Sequence, residues 1–259
     1  MKASQLSPAR GFDSESEIRS DLWWKDGHEI SRQQTQFSER QRGFGICLEG
    51  PDKCGKSTQV RMLAHWLESN GFEFLVLDRK LTHVGRFIRE INTKEIPLPP
   101  SAKTLLYAVD FTMLTPFIGP TLDRGVIVVY DRWVHSALAY GGALGLSTGW
   151  IEEVHRHIPM PDLVLVIDAP PEVALDRLKA SGDWAGYYDS GYNSDNATRE
   201  QSFLEFQAKV RDHYHLLAEM HPYAILVDST TSKEDVHLSV RKLLLDSLGD
   251  RNILVRVSA

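Results

Sequence analysis

The stretch Gly50-Pro-Asp-Lys-Cys-Gly-Lys-Ser-Thr58 fits the pattern G-x-x-x-x-G-K-[ST] of a phosphate-binding loop. An apolar run from Gly43 to Leu48 precedes it and predicts a short buried strand. Thr58 to Ser69 follows, with apolar residues at helical spacing. A glycine turn that merely joins a strand to a helix is the alternative, and the filled motif with both flanks in place argues against it. The stretch therefore predicts binding of a nucleoside triphosphate.

Each position of this loop has an expected task. Gly50 and Gly55 let the backbone turn its N–H groups inward around a phosphate, and the helix N-terminus adds partial positive charge. Lys56 reaches the β- and γ-phosphates, while the Ser57 hydroxyl is placed to ligate Mg²⁺. The residues predicted to bind the triphosphate are Gly50, Lys53, Cys54, Gly55, Lys56, Ser57 and Thr58.

Composition narrows the class of protein. A chain of 259 residues is long enough for one large α/β domain or two small ones. A net charge of −6 argues against a nucleic-acid polymer as the main partner. Cys47 and Cys54 fall in a predicted strand and in the loop, so they form no disulfide framework, which fits a reducing cytoplasm. We expect no membrane partner, because we find no apolar run long enough to span a bilayer.

The chain divides into three parts by composition. Residues 1–40 are polar and mixed in charge, which predicts a flexible extension, and residues 251–259 form a C-terminal tail. Residues 41–250 form the folded domain, in which apolar strands alternate with helices; this predicts a parallel sheet covered on both faces. Residues 181–197 are long and polar, which predicts a mobile lid. The further predicted strands are Phe74 to Asp78, Val126 to Tyr130, Leu163 to Asp168 and Ala224 to Asp228.

Proline and glycine set two expected breaks. Ser101 caps a helix predicted to end near Leu114, and Pro116 then allows a second helix to run to about Asp123. Further on, a glycine-rich turn is expected to follow a helix, and its glycines are Gly141, Gly142 and Gly145.

Asp131-Arg132 forms a second key pair. It stands at the end of a β-branched strand, and ligands gather at the carboxyl ends of parallel strands. There a carboxylate can hold Mg²⁺ or orient an acceptor, and an arginine offers a planar fork to a phosphate. The alternative is a surface ion pair, but Lys56 upstream favours the functional interpretation.

Other candidates surround this pair. Arg79 lies nearest the end of the second strand and is the best candidate for another phosphate contact, whereas Arg89 fits a solvated helix face. Tyr107 and Phe111 lie four residues apart on one helix face. Core packing is the common role for such aromatics, and stacking of Tyr107 on a nucleobase is the alternative. Three cations could deliver charge when the lid closes: Arg177, Lys179 and Arg199.

Four segments together resemble the thymidylate kinase family of nucleoside monophosphate kinases. The family resemblance implies a three-layer P-loop kinase fold, with a five-stranded parallel sheet flanked by helices and a mobile lid. It covers nearly everything except the N-terminal extension. The segments are Leu48-Glu-Gly-Pro-Asp-Lys-Cys-Gly-Lys-Ser-Thr-Gln59, Leu105-Leu-Tyr-Ala-Val-Asp110, Asp131-Arg-Trp-Val-His-Ser-Ala-Leu-Ala-Tyr140 and Pro161-Asp-Leu-Val-Leu-Val-Ile-Asp-Ala-Pro-Pro-Glu-Val-Ala-Leu175.

The resemblance implies transfer of the γ-phosphoryl group of ATP to dTMP with Mg²⁺, giving dTDP and ADP for dTTP synthesis, in a cytoplasmic homodimer. It assigns catalysis to Lys56, Asp131, Arg132 and Lys53, the last standing where some members carry an arginine. Ser57 and Asp131 would hold the metal ion. The residues it assigns to dTMP are Asp52 at the sugar 3′-hydroxyl, Tyr107 and Phe111 at the base, Arg79 and Arg132 at the phosphate, and Ser136 and Tyr140 lining the base pocket.

Two departures leave the base open. Many members have an arginine where this chain has Phe111, and a glutamine or threonine where it has Gly141. Base choice rests on few polar contacts, so another pyrimidine or a modified monophosphate is an alternative acceptor. Two other functions stay open: a non-catalytic nucleotide-binding regulator, and a kinase of nucleosides or of a small metabolite. A monophosphate acceptor needs extra cations, and Arg79 with Arg132 would supply them.

Overall fold

The computed structural model describes residues 42–78, 81–183, 186–192 and 198–250. The predicted extension over 1–40, Arg79, parts of the lid and the tail over 251–259 lie outside the described residues. The strands are β1 (Gly45–Glu49), β2 (Phe74–Leu77), β3 (Ile127–Asp131), β4 (Leu163–Asp168) and β5 (Ala224–Asp228). The helices are α1 (Lys56–Ser69), α2 (His83–Thr93), α3 (Pro100–Leu122), α4 (Val134–Ala143), α5 (Thr148–His155), α6 (Pro171–Ala180), α7 (Arg199–Met220) and α8 (Lys233–Asp250).

The five strands form one parallel sheet in the order β2-β3-β1-β4-β5. The central strand, β1, is the one that leads into the glycine loop. In its register with β3, Leu48 stands opposite Asp131, so the loop and the Asp131-Arg132 pair leave the sheet side by side. The predicted α/β class and parallel sheet are confirmed.

Helices cover both faces of the sheet, as a parallel sheet requires. Because successive side chains of a strand point to opposite faces, Cys47 packs into one core cluster, and Ile46 and Leu48 into another. The first cluster is completed by α3, α4 and α7, and the second by α1 and α8. The two core clusters hold the sheet rigidly, and with it the carboxyl end of β1, from which the loop extends.

Helix α3 runs unbroken from Pro100 to Leu122, so the predicted helix end near Leu114 is wrong. Pro116 and Pro120 lie inside it, where each leaves a carbonyl four residues earlier without its usual donor. Those carbonyls belong to Thr112 and Pro116, and both residues are exposed, so water can satisfy them. Packing of the opposite face against β3 and α2 outweighs the remaining cost.

The same helix corrects the expectation about apolar runs. By length and composition alone α3 is long and apolar enough to cross a bilayer, and it is the one such helix in the part of the chain that the structure describes. Its Phe111, Leu114 and Ile118 are buried in the first core cluster. A core helix of this kind passes the same test of length and composition.

Two of the three glycines expected in a turn lie in helix α4. Cβ atoms at Gly141 and Gly142 would lie 2.6 Å from Ile151 and from His213, so these glycines allow α5 and α7 to approach closely. Gly145 alone takes the turn, with φ of +81°. The glycine cluster thus reflects helix packing more than chain reversal.

Candidate nucleotide site

The carboxyl ends of β1 and β3 open into a cleft of about 610 Å³. Six of the seven residues predicted to bind a triphosphate line it: Lys53, Cys54, Gly55, Lys56, Ser57 and Thr58. Gly50 lies at the root of the loop with φ of +140°, and a Cβ there would lie 2.3 Å from the Ile167 carbonyl oxygen. Only glycine fits that position, because both the backbone angle and the space exclude a side chain.

Helix α1 begins directly at the cleft. Gly55, in the left-handed conformation with φ of +103°, is its N-cap and provides no side-chain cap. The first N–H groups of a helix have no partner inside the helix, and they carry partial positive charge. The loop and this helix start therefore present backbone donors to an anion in the cleft.

Lys56 is buried and forms an ion pair with Asp131. Burial lowers the pKa of the ammonium, and the nearby Arg132 guanidinium lowers it further, while Asp131 opposes both effects. Nearby negative charge favours the charged form of a buried lysine, so phosphate oxygens in this cleft would stabilise it.

The oxygen donors of the cleft suit a hard cation. Ser57 is exposed at the start of α1, and Asp131 and Asp78 line the same space. A hydroxyl and carboxylates are the ligands that Mg²⁺ prefers, so these residues fit it. Asp168, another carboxylate at a strand end, forms two 2.7 Å hydrogen bonds with Arg211 instead and does not line the cleft.

Arg132 is held at the floor of the cleft by several partners. Its Nη2 donates to Asp52 Oδ1 at 2.8 Å and its Nη1 to the Gly50 carbonyl at 2.8 Å. Its backbone has φ of +70°, which is uncommon for a residue with a side chain. A strained backbone angle persists only where the surrounding contacts hold the residue in place, and such residues cluster at functional sites.

Glu49 organises the wall behind Arg132, a role that the sequence analysis missed. It is fully buried and accepts hydrogen bonds from the Trp133 N–H at 2.6 Å, the Ser136 hydroxyl at 2.6 Å and the Tyr214 hydroxyl at 2.9 Å. A carboxylate at the start of α4 also complements the helix dipole. The available signal was an acidic residue at the end of an otherwise apolar strand.

A second cavity, of about 100 Å³, adjoins the cleft. Four residues line both spaces: Asp52, Asn92, Arg132 and Asp189. The remaining described residues assigned to dTMP by resemblance also line it: Tyr107, Phe111, Ser136 and Tyr140. The structure thus brings together every described residue of that set, while Arg79 lies outside the described residues.

Aromatic side chains form one wall of this cavity. The rings of Tyr107 and Phe111 stack, with centroids 6.1 Å apart, and Phe111 packs against Trp133 at 4.6 Å. Phe111 is almost completely buried, so the core-packing interpretation fits it better than Tyr107, which is half-buried. Burial raises the pKa of the Tyr140 phenol, which keeps it a neutral hydroxyl.

The described part of the lid is docked. The Tyr187 N–H donates to Glu95 Oε1 at 2.9 Å, and the Tyr188 hydroxyl donates to the Ile96 carbonyl. Both partners lie in the segment that joins α2 to α3, and Lys103 of α3 lies under the Tyr188 ring, 3.2 Å from its centroid. The lid segment 186–192 therefore lies mainly over the second cavity, and its Asp189 also lines the phosphate-loop cleft.

Of the three cations considered for the lid, only Arg177 contacts the loop. Its Nη1 donates to the Cys54 carbonyl at 2.9 Å, and its Nη2 donates to the Ser229 carbonyl. Lys179 pairs with Glu200 at 2.8 Å, and Arg199 with Glu95 at 3.4 Å. Lys53 of the loop pairs with Asp183 at 2.7 Å, so one contact links the loop to the root of the lid.

A glycine phosphate loop between the central strand and the first helix of a parallel sheet defines the class of P-loop nucleotide-binding proteins. Comparison with known proteins is more specific, because the family model described as thymidylate kinase matches residues 48–240. The chain belongs to the thymidylate kinase family.

Individual relatives agree with the family match. The chain is 35% identical over 214 residues to a probable thymidylate kinase of Pyrococcus horikoshii, covering 80% of this chain and 98% of the relative. It is 37% identical over 198 residues to a thymidylate kinase of Thermomicrobium roseum, covering 74% of this chain and 89% of the relative. The predicted family is confirmed.

Proposed function

We propose that this protein transfers the γ-phosphoryl group of ATP to dTMP, giving dTDP and ADP as a step of dTTP synthesis. One observation carries the proposal: the phosphate-loop cleft opens into a second cavity lined by an aromatic wall, and four residues line both. A donor in the first space and a nucleotide in the second would meet between Lys56 and Arg132. Such positioning supplies most of the catalysis in phosphoryl transfer.

The donor side consists of the loop and its neighbours. Backbone N–H groups surround the triphosphate, and they belong to Gly50, Cys54, Gly55 and Thr58. The Lys56 ammonium contacts the γ-phosphoryl group while it is transferred. Lys53 adds a second cation, although it has no planar fork. Beyond Arg177 lies a further cavity of about 190 Å³, lined by Ser229 and Thr231 among others, which suits the base of the donor.

The acceptor side consists of side chains from distant parts of the chain. Arg132 holds the phosphate of dTMP, and Asp52 accepts a hydrogen bond from the 3′-hydroxyl. Tyr107 stacks on the base, and the remaining base contacts come from Phe111, Ser136 and Tyr140. Arg79 is a second candidate for the acceptor phosphate.

Mg²⁺ fits the oxygen donors of Ser57 and Asp131. When bound, the ion would neutralise negative charge on the phosphates. Asp131 also keeps Lys56 in place, through the ion pair that the two side chains form.

The lid, which we place at residues 181–197, excludes water from the acceptor. Water in the site would hydrolyse ATP instead of allowing transfer. Tyr187 and Tyr188 dock on the segment between α2 and α3, which supports this role.

An acceptor screen tests the proposal. The protein is incubated with ATP, Mg²⁺ and each of dTMP, dUMP, dCMP, thymidine and no acceptor, and ADP formation is followed. We expect fast release of ADP with dTMP and little with thymidine, which lacks the phosphate that Arg132 would hold. Equal release with every acceptor and with none would refute the proposal, and a preference for dCMP would replace dTMP as the substrate.

We also propose a cytoplasmic homodimer that pairs through α3 of the core domain, which we place at residues 41–250. Leu105, Val109 and Phe117 follow one ridge of α3 and are exposed by 47%, 49% and 42%. Sedimentation equilibrium measures the oligomeric state. We expect the wild-type protein to be a dimer and the Val109→Glu variant to be a monomer. A wild-type monomer at micromolar concentration would contradict it.

A further inference from the structure

Gln207 joins three parts of the molecule through one side chain. It is a fully buried residue of α7. Its Oε1 accepts the Asp52 N–H at 3.0 Å, and its Nε2 donates to the Asp189 carbonyl at 2.9 Å and to Asp52 Oδ2 at 3.3 Å. The amide thus connects the phosphate loop, the docked lid and the helix behind them.

These bonds fix the carboxylate of Asp52 from two sides. Arg132 Nη2 donates to its Oδ1 at 2.8 Å, and Gln207 Nε2 approaches its Oδ2. Asp52 and Asp189 both line the acceptor cavity, whereas Gln207 lines neither that cavity nor the cleft. Gln207 therefore acts on a bound nucleotide only through its neighbours.

The Asp189 carbonyl reaches Gln207 only while the lid is docked. If the lid moves away, Nε2 loses that partner, and the orientation of the amide is no longer set by the lid. The Asp52 carboxylate then keeps its hydrogen bond from Arg132, while the one from Gln207 is less firmly oriented. The hydrogen bonds consequently link lid docking to the geometry of Asp52.

We propose that Gln207 is a positioning residue, which makes the contact between Asp52 and the acceptor sugar depend on the docked lid. The inference rests on the proposed function, because it takes Asp52 to bind the 3′-hydroxyl of dTMP. It predicts that the loss of Gln207 weakens recognition of this hydroxyl much more than binding of the donor, because Gln207 contacts the phosphate loop at Asp52 and does not line the cleft.

Only an amide side chain can make this set of contacts, since it offers an acceptor and two donors at one position. In Gln207→Met the length is kept, but the Asp52 N–H and the Asp189 carbonyl lose their partner. In Gln207→Glu the shape is kept, but an acceptor replaces the donor and faces the Asp52 carboxylate. Gln201→Met is the matched control, because Gln201 is exposed on the same helix and bonds Glu205 at 2.7 Å.

The experiment compares dTMP with its analogue that lacks the 3′-hydroxyl, in the wild-type protein and the three variants. A hydrogen bond to a carboxylate predicts a wild-type kcat/KM preference for dTMP of about 10-fold or more. We expect Gln207→Met and Gln207→Glu to reduce this preference to about 2-fold, with the KM for ATP unchanged within about 2-fold. Gln201→Met should keep the full preference.

Several results would overturn the inference. A Gln207→Met protein that retains the whole 3′-hydroxyl preference, or whose KM for ATP rises as much as that for dTMP, would show a merely structural role. If Gln207→Met fails to fold, Gln207→Glu decides by the same ratio. A wild-type protein that phosphorylates dTMP without any 3′-hydroxyl preference refutes this inference alone, whereas one that phosphorylates no pyrimidine monophosphate refutes the proposed function as well.

Discussion

The two cavities of the site are built in opposite ways. One contiguous stretch, residues 51–58, supplies about half of the lining of the phosphate-loop cleft, including the backbone N–H groups at the start of α1 and the Lys56 ammonium. The adjoining cavity takes its lining from α2, α3, α4, the lid and α7, and its polar groups are side chains. Donor recognition is therefore a local property of the sequence, while acceptor recognition depends on how distant segments pack.

The two regions also differ in how they tolerate change. The loop depends on glycine geometry at Gly50 and Gly55, where a Cβ is excluded or strained. The acceptor wall depends on a partly buried network in which Arg132 donates to Asp52 and to Ser136, and the Ser136 hydroxyl donates to Glu49. Losing one member of such a network leaves a buried group unpaired. The comparison predicts that substitutions on the two sides raise different Michaelis constants.

The largest effect is expected where the two sides meet. Lys56→Met removes the cation that would stabilise the phosphoryl group during its transfer. We expect kcat to fall about 1,000-fold, which is the loss typical when one hydrogen-bond donor to the transition state is removed. Steady-state ADP release measures it, with Lys242→Met on the exposed face of α8 as the control. A Lys56→Met protein that retains a tenth of the wild-type kcat would contradict the assignment.

Next is a test of the acceptor side alone. Arg132→Lys keeps the charge but loses the planar fork that bonds Asp52 and the Gly50 carbonyl. We expect the KM for dTMP to rise about 100-fold, which is the upper range for a charged hydrogen bond, and the KM for ATP by less than about 3-fold. Initial rates at varied concentrations of each substrate measure both constants. An equal increase in the KM for dTMP and in the KM for ATP would contradict the proposal that Arg132 serves the acceptor side alone.

The corresponding test of the donor side replaces Arg177. In Arg177→Lys an ammonium replaces the fork that bonds the Cys54 and Ser229 carbonyls. We expect the KM for ATP to rise about 10-fold, from the loss of one charged hydrogen bond, while that for dTMP stays within about 2-fold. Calorimetric titration with a non-hydrolysable ATP analogue provides an independent check. A selective rise for dTMP would place Arg177 on the wrong side.

The smallest effect concerns pH. Burial, and then the neighbouring Asp52, raises the pKa of the Asp189 carboxyl to about 6. Because this pKa lies above the unfolded value of about 4, the native state holds the proton longer, and stability falls as pH rises from about 4 to 6. Asp189→Asn removes this titration, so we expect its melting temperature to exceed that of the wild type by about 2 °C at pH 8 and by little at pH 4. Asp246→Asn, on exposed α8, should show no such difference between the two pH values.

The sequence was sufficient for the parts of the molecule that depend on local pattern. The five strands, the loop and the position of Asp131-Arg132 followed from apolar runs and a motif. Helix α3 was predicted to break at Pro116, because a helix rule cannot weigh the packing of the opposite face. Glu49 and Gln207 were missed for a related reason: Glu49 bonds Ser136 and Gln207 bonds Asp52, each more than 80 residues away along the chain, and only the fold reveals these contacts.

The left-handed backbone of Arg132 has a consequence for anyone who engineers this protein. A search for stabilising substitutions would select glycine at this position, because glycine adopts such angles without a steric penalty. The replacement would relax the main chain and at the same time delete the side chain on which the acceptor half of the site converges. Here thermostability and turnover are in direct conflict at one residue, and a screen that scores only melting temperature would enrich inactive proteins.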